Sequence, residues 1–300
     1  MPAEALQRKI KTTQELREIV GNMKTLSSVS ILQYEQANTV LEKYQHNLRD
    51  AIHILAMHNG IPQFISANFR NPRYLIIIIG SDNGMVGRFN REIIEYVQSF
   101  IKTRKIAADS SCFITIGKRL SQLAEQADLR LIAGYATSNS VKAVISLAET
   151  IIMRIEQAMR SQRITDIYIC YHRRGNAGNT AVEMKKILPV DADSLLKLKN
   201  KKWDTNNIPM MPVDKSKMFA ALVGELMMIA LAKQINSSLA AEHFIRMTNM
   251  QNAEKNIDEN LATMNLEFQQ QRQDEITGEL IDVVSGANAM NEKNNNKKPI

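Results

Sequence analysis

Residues 226–268 have the sequence LMMIALAKQINSSLAAEHFIRMTNMQNAEKNIDENLATMNLEF, in which mostly apolar or small residues recur at alternating steps of three and four. A repeat that averages 3.5 residues keeps these side chains on one face of a helix and is typical of a coiled-coil seam. The positions on this stripe are Leu226, Ile229, Lys233, Asn236, Ala240, His243, Met247, Met250, Glu254, Ile257, Leu261, Met264 and Phe268. The stretch therefore predicts a long helix that packs along a second helix.

A stripe with the same repeat lies near the N-terminus and predicts the partner helix. Its positions are Leu16, Val20, Met23, Ser27, Ser30, Tyr34, Ala37, Leu41, Tyr44, Leu48, Ala51 and Leu55. We expect the first helix to span residues 4–58 and to be stopped by the sequence HNGIP, because Asn and Gly favour left-handed caps and Pro prevents continuation. We expect the second helix to run from Lys217 to Ala289. Because one helix precedes and the other follows the same central segment, the economical arrangement is an antiparallel pair.

Both seams are imperfect, because polar residues stand where a stable coiled coil has Leu or Ile. These residues are Ser27, Ser30, Lys233, Asn236 and Glu254. One interpretation is a purely structural coiled coil that tolerates polar positions. The other is a rod that must fit inside another assembly and present small, smooth surfaces to it. The second helix is longer than the first, so that its C-terminal part is single or faces another protein, and this favours the second interpretation.

The central segment alternates short apolar runs with helical stretches. Such alternation is typical of a mostly parallel sheet with helices on its faces, and the last two strands are predicted to form a hairpin. The predicted strands are Tyr74–Ile79, Cys112–Ile116, Leu129–Ile132, Asp166–Tyr171 and Glu183–Val190, and the predicted helices are Asn90–Lys102 and Val141–Gln162. The fold class is therefore α/β, with a long antiparallel coiled coil of N- and C-terminal helices plus a central Rossmann-like α/β domain.

The predicted domain organisation follows from these elements. We expect an N-terminal coiled-coil helix at residues 1–60, a central α/β domain at 70–216 and a C-terminal coiled-coil helix at 217–290. The last residues, 291–300, read NEKNNNKKPI and have no apolar periodicity, so they are predicted to be a disordered polar tail.

Composition argues against several classes of function. The net charge of +7 permits an anionic partner, but the basic residues are scattered and no arginine-rich arm with interleaved aromatics is present, which disfavours nucleic acid. The longest uninterrupted apolar run, Leu75 to Ile79, is far too short to cross a membrane, so we expect membrane association only through another protein. Cys112 and Cys170 each lie inside a strand-like run with no CxxC partner, which favours buried thiols in a cytoplasmic protein over a disulfide framework or a metal site.

The sequence also lacks the usual motifs of an enzyme. It contains no GxxxxGK[ST], HExxH or GxSxG, and we predict no catalytic residue, cofactor or metal. The one glycine-rich loop, GSDNGMVGRFN, follows a predicted strand, but its glycines are spaced GxxxGxxG. Such a loop either binds an anion at the start of the next helix or forms a tight turn that docks that helix, and the turn is the preferred interpretation.

Four stretches nevertheless resemble one family, the gamma subunit of rotary F-type ATP synthases. SDNGMVGRFN resembles the family's SDxGLCGxxN loop, and the C-terminal ITGELIDVVSGANA is similar to its ITxELxEIVSGAxA signature. The other two matches are KIKTTQ at residues 9–14 with Ile19 and Met23, and Arg246-Met247-x-x-Met250 for the family's RMxAM. Together they touch both predicted helices and the central domain.

The resemblance implies a role as well as a fold. It implies that the helix pair is the central shaft inside a hexamer of alternating alpha and beta subunits, with the globular domain contacting the epsilon subunit and the membrane-embedded ring of c subunits. The chain would couple ion flow to nucleotide binding without being catalytic, at the cytoplasmic face of a bacterial or archaeal inner membrane. No nucleic acid and no direct membrane insertion are implied.

By the same resemblance, six residues are candidate partner contacts. Catch contacts with a beta-subunit loop fall on Arg272 and Gln273, and the polar contacts that brace this region fall on Thr277 and Glu279. Arg246 and Met23 match positions facing the lower contacts of the shaft. For each of the six the alternative is a solvated helix face.

The sequence departs from the family pattern in places, which indicates a divergent prokaryotic member; the variant class encoded as a second copy is a candidate. Gly278 replaces a Gln inside the C-terminal signature, and residues 25–30, TLSSVS, lack the basic character of the matching segment. Two other functions remain open from the residues alone. One is a non-rotary coiled-coil scaffold with a hinge-like α/β domain, and the other is a small nucleotide-binding enzyme that uses the loop at 81–90.

Overall fold

The computed structural model describes residues 3–58, 71–175, 179–189 and 214–295, with side chains up to residue 286. The described residues fall into two compact units. Unit 1 comprises residues within 1–25 and 248–300, and unit 2 comprises residues within 26–247. Two long helices, α1 (Ala3–Met57) and α5 (Lys215–Asn295), contribute to both units.

Unit 2 contains a five-stranded sheet in the order β3-β2-β1-β4-β5. Its strands are β1 (Tyr74–Ile79), β2 (Ser111–Ile116), β3 (Leu131–Tyr135), β4 (Asp166–Arg174) and β5 (Thr180–Leu188). The first four are parallel to their neighbours, and β5 pairs antiparallel with β4. This confirms the predicted parallel sheet and its terminal hairpin.

Apolar layers cover both faces of the sheet. On one face, β1 residues such as Leu75 and Ile77 pack with α4 (Val141–Gln162) and with Leu231 and Ile235 of α5. On the other, Ile76 and Ile78 pack with α2 (Phe89–Thr103) and α3 (Lys118–Gln126). A strand that is buried on both faces has no polar side, which is why β1 reads as a continuous apolar run.

The structure differs from the sequence-based elements in a few places. Helix α3 was not predicted, because its sequence KRLSQLAEQ is mostly polar and it buries only Leu120 and Ala124. Strand β3 lies two to three residues later than expected. Helix α5 continues to Asn295, so residues 291–295 are helical where we predicted a disordered tail. Other parts of the predictions, namely HNGIP beyond His58, the loop at 191–213 and residues 296–300, lie outside the described residues.

In unit 2, α1 and α5 run antiparallel. Glu42 forms an ion pair with Lys233 at 2.5 Å, Asn38 donates to Ser237 at 2.9 Å, and Tyr44 donates to Glu225 at 3.1 Å. Residues further along α1 therefore contact residues earlier in α5.

In unit 1 the two helices are also antiparallel. The backbone N–H of Ala3 donates to Glu275 at 3.3 Å, whereas Arg17 further along α1 bonds to Asp258. Near the start of α1, four buried side chains make a small apolar cluster, which consists of Leu6, Ile10, Leu261 and Met264. The predicted pairing of the terminal helices is confirmed within each unit.

Candidate functional site

The glycine-rich loop after β1 is closed by its own polar groups. Asn90 accepts a hydrogen bond from the backbone N–H of Ser81 at 2.9 Å and donates to the Ser81 hydroxyl at 2.8 Å. That hydroxyl donates in turn to the carbonyl of Asn83 at 3.0 Å. A Cβ on Gly80 would lie 2.5 Å from Asn90 Oδ1 and 2.7 Å from Leu120 Cβ, so the close approach of the chain requires glycine here.

Asp82 in this loop connects the ends of three neighbouring strands. Its carboxylate accepts from the backbone N–H of Lys118 at 2.7 Å and from that of Thr137 at 3.1 Å, which follow β2 and β3. The carboxyl edge of a parallel sheet is where α/β proteins bind ligands. Here the Asp82 carboxylate takes a first-turn N–H of α3, and together with the Ser81–Asn90 hydrogen bonds it holds the loop in a tight turn.

The same loop docks on α5. Val86 and Phe89 pack with Ala241, which is fully buried. The ring of His172 stacks on Phe89 with ring centroids 3.8 Å apart, and its Nε2 lies 2.9 Å from the Phe89 carbonyl oxygen. Burial lowers the pKa of His172 to about 4, so the ring is neutral at pH 7, and its Nε2 carries the proton because a carbonyl can only accept.

Next to this contact, α5 carries a buried charged cluster. Arg246 donates to Glu242 at 2.6 Å, and the two side chains are 8% and 5% exposed. Burial raises the pKa of Glu242 to about 7, against the opposing effect of Arg246. Arg246 also lies 3.3 Å from Nδ1 of His243, whose ring stacks on Tyr34 of α1 with centroids 5.8 Å apart. The cluster therefore fixes this turn of α5 to α1 within unit 2.

Four of the six candidate contact residues lie together on α5 in unit 1. Arg272, Gln273, Thr277 and Glu279 are all exposed. Among the described residues, their side-chain hydrogen bond is internal to the helix, since Thr277 donates to the Gln273 carbonyl at 2.7 Å. These side chains are free to meet a partner.

The other two candidates are placed differently. Arg246 is 6% exposed and belongs to the buried cluster of unit 2, so its guanidinium serves the chain's own packing. Met23 is half-buried in unit 1. Sequence reasoning missed Glu242, the partner of Arg246, although a Glu four residues before an Arg on a helix is a recognisable ion-pair signal.

The same part of α5 exposes an apolar stripe. Ile276, Leu280 and Val284 follow one another at four-residue steps, and Val283 lies on the same face. Their exposed fractions range from 49% to 69%. A stripe of this kind on a helix is typical of a surface that meets another protein.

Metal binding and membrane crossing are two further possibilities for the described residues. No group of three or more His, Cys, Asp or Glu residues there is arranged to hold a metal ion. One helix, α5, is long and apolar enough by length and composition to cross a membrane. Its apolar stretch has a mean hydropathy of 1.6, and 33% of that stretch is buried. Core helices of globular domains can be equally long and apolar, and the apolar part of α5 around Leu231 and Ile235 packs against the sheet.

A family model described as ATP synthase matches residues 3–290 of the chain. Among curated proteins, the ATP synthase gamma chain of Streptococcus mutans is 26% identical over 298 residues, covering 94% of this chain and 96% of the relative. The ATP synthase gamma chain of Sulfurimonas denitrificans is 25% identical over 295 residues, covering 95% and 98%.

Solved structures are similar in fold. A chain in the Euglena gracilis mitochondrial ATP synthase, OSCP/F1/c-ring in rotational state 3, matches with a TM-score of 0.60 and 15% identity, covering 99% of this chain and 97% of that chain. A chain from the central stalk and c-ring of the Tetrahymena thermophila mitochondrial ATP synthase matches with a TM-score of 0.52 and 15% identity, covering 77% and 98%.

Proposed function

The chain belongs to the ATP synthase gamma-chain family, and we propose that it is the central rotor shaft of an F-type ATP synthase, coupling ion flow through the membrane sector to nucleotide binding in the catalytic hexamer. The observation that carries this proposal is the surface of α5 in unit 1. Exposed polar side chains at 272–279 lie there beside an exposed apolar stripe at 276–284. A shaft that turns inside a ring needs such a surface along its contact end.

The mechanism rests on differential binding. A shaft without threefold symmetry contacts each catalytic site of a pseudo-threefold ring differently and so biases each towards a different nucleotide affinity. Rotation of the shaft moves these biases from site to site, which converts torque into binding and release of ADP, phosphate and ATP. This chain is a subunit of the enzyme complex, and in this proposal the chemistry occurs on its partner subunits.

Membership of the family supports a set of proposed partners. Residues of unit 1 would turn inside the hexamer of alpha and beta subunits, and the α/β domain of unit 2 would contact the epsilon subunit and the c-ring. We propose no direct membrane insertion, because the apolar part of α5 is used in packing on the sheet. The location would be the cytoplasmic face of a bacterial or archaeal inner membrane, with the chain held there by its partners.

Within the shaft, four residues would act on the beta subunit. Arg272 and Gln273 would form the catch with a beta-subunit loop, and Thr277 and Glu279 would brace it. Their exposure supports this assignment. Met23 would lie at the lower contacts. Arg246 would stay inside unit 2, paired with Glu242 of the same helix, and would not touch a partner directly.

The test is assembly with the catalytic subunits. We expect the full chain, coexpressed with the alpha and beta subunits of its own organism, to co-purify with them in a stable ATPase. Replacing Ile276, Leu280 and Val284 together by Ser should weaken that assembly, while the matched exposed leucine substitution Leu266→Ser, outside the 276–284 segment, should not. A chain that never associates with the alpha and beta subunits would instead support the non-rotary scaffold.

A further inference from the structure

Two ion pairs join α1 to α5 in unit 1. Arg17 Nε bonds to Asp258 Oδ1 at 2.5 Å, and Lys24 forms an ion pair with Glu254. Gly21 lies between the two cations on the same face of α1, where a Cβ would meet Glu254 Oε1 at 3.9 Å. The negative charge of Glu254 also contributes to the raised pKa of Arg17, after the larger effects of the Asp258 hydrogen bond and charge. The four charges therefore form one connected group across the seam.

The apolar packing at the level of this group consists of half-buried side chains such as Ile257, and Met250 is buried one turn before Glu254 on α5. The buried cluster of unit 1 consists of Leu6, Ile10, Leu261 and Met264, and it lies towards the start of α1. At the level of the ion pairs, the α5 side of the seam carries Glu254, a polar residue where a coiled coil has a branched apolar one. A seam of small or polar residues distinguishes weakly between registers, since sliding one helix past the other loses little buried apolar area.

The charges discriminate between registers where the apolar residues do not. In an antiparallel pair, sliding by about one turn towards lower α5 numbers brings Arg17 opposite Glu254 and leaves Lys24 opposite the apolar Met250. Sliding by about one turn the other way brings Lys24 opposite Asp258 and leaves Arg17 opposite Ala262. Either slip breaks both observed ion pairs and forms a single new one, so two ion pairs form together only in the observed register.

We propose that Arg17, Lys24, Glu254 and Asp258 form a register lock that prevents α1 and α5 from sliding past each other in unit 1. The four are positioning residues. A two-helix shaft transmits torque and bending force only if its helices do not slide under load, and this role in coupling rests on the proposed function. The fixing of register itself is a property of the chain alone.

Each of the two partly exposed ion pairs should contribute modestly to the choice of register. Pairs of this kind shift the equilibrium constant between paired and unpaired states by a factor of about 1.4 to 5. Reversing one charge replaces attraction by repulsion, so its effect should exceed that factor. Swapping both charges of a pair should restore the attraction, which a role limited to side-chain size would not predict.

The test measures register by spectroscopy in the full chain. Spin labels on Gln7→Cys and Gln251→Cys, both exposed sites in unit 1, would lie roughly 27 Å apart along the helix axis at 1.5 Å per residue. The native cysteines are buried and would be replaced by Ala. We expect Lys24→Glu and Glu254→Lys each to create a second distance population displaced by about 5 Å, one helical turn. The double variant K24E/E254K should return to one population.

A matched control is available on the same helix. Lys255 is exposed and pairs with Glu259 of its own helix at 3.9 Å, so Lys255→Glu reverses the same charge without touching the seam. Its distance distribution should match that of the unmodified chain. Unchanged distances in both Lys24→Glu and Glu254→Lys, or no recovery in the double variant, would overturn the lock whatever the chain's function.

The coupling role is read separately in the assembled complex. The ratio of ions transported to ATP hydrolysed should fall in each single variant and recover in K24E/E254K. A shifted register with an unchanged ratio would remove the lock from coupling while leaving it in the fold. Failure of the unmodified chain to assemble would contradict the proposed function alone, because the distance measurement does not depend on partners.

Discussion

At the scale of single residues, the least ordinary group is Glu242. It is 4% exposed, its Oε1 accepts from Arg246, and its Oε2 has no hydrogen-bond partner among the described residues. Burying an ionised carboxylate with one oxygen unpaired is unfavourable in free energy. Burial therefore raises the pKa of Glu242 to about 7 despite the neighbouring arginine. Asp82 and Tyr34 face the same carboxylate from the loop after β1 and from α1.

This raised pKa makes stability depend on pH in a definite direction. Between the unfolded value near 4.5 and the folded value of about 7, the folded state binds the proton and the unfolded state does not. The contribution of Glu242 is therefore fully present below pH 4.5 and is lost as pH rises to 7. Relative to Glu242→Gln, the unmodified chain should lose on the order of 3 kcal/mol of unfolding free energy across this range.

Urea unfolding of both proteins at pH 5 and pH 7.5 measures this difference, and the comparison cancels groups that both share, such as His172. The side chain that Glu242→Gln introduces is neutral, as protonated Glu242 is, and its amide oxygen can accept from Arg246. The unfolding free energy of the variant should therefore match that of the unmodified chain at pH 5 and exceed it at pH 7.5. A difference that stays constant with pH would contradict the assignment of a shifted carboxyl to Glu242.

At the scale of elements, the turn after β1 and the helix α5 offer a matched glycine pair. A Cβ on Gly80 would lie within 2.7 Å of two side-chain atoms, whereas one on Gly224 of α5 meets nothing within 4 Å. Gly80→Ala should therefore lower the free energy of unfolding by about 1–3 kcal/mol, because the added methyl group overpacks the turn. Gly224→Ala should stabilise the helix by roughly 0.5–1 kcal/mol. Thermal unfolding of the two variants should show shifts of opposite sign, and two shifts of the same sign would refute this account of the turn.

The elements also show what the sequence could supply. The alternation of short apolar runs, such as the isoleucine run of β1, with helical stretches predicted the sheet. The 3.5-residue repeats predicted both long helices. Helix α3 was missed because only Leu120 and Ala124 of its nine residues are buried, too few to give a periodic signal. Pattern reasoning works where burial is one-sided and extended, and it fails for short polar elements.

The partners of polar seam residues lay beyond the reach of the sequence for a different reason. Lys233 and Glu254 pair with Glu42 and Lys24, which are about 200 residues away along the chain. Choosing those partners requires the register of two helices, and the apolar stripe leaves that register undefined. Of the candidate contacts, Arg246 illustrates the same limit. Its buried role depends on packing around the whole helix, and a motif match cannot report that packing.

At the scale of the whole molecule, the fold fits the proposed role of a subunit that couples to catalytic partners. Its polar groups at the carboxyl edge of the sheet satisfy one another, as Asp82 does for the N–H groups of Lys118 and Thr137. The long helices expose most of the large apolar side chains found at the surface of the described residues, such as Leu280 and Val283 of α5. In the proposed function, such a chain acts on its partners through position and stiffness.

The last prediction concerns the catch, which the proposed function assigns to Arg272 and Gln273. Both side chains are exposed, and neither is joined by an ion pair to the described residues, so replacing both by Ala should change the unfolding free energy by no more than about 0.5 kcal/mol. In the assembled complex, the double variant should pump fewer ions per ATP hydrolysed, because the shaft would lose its polar grip on the beta-subunit loop. Glu267→Ala, an exposed change on the same helix, is the control and should leave that ratio unchanged. Normal ATP hydrolysis and ion pumping by the double variant would contradict the assignment of the catch to Arg272 and Gln273. That outcome would not bear on the family or the fold.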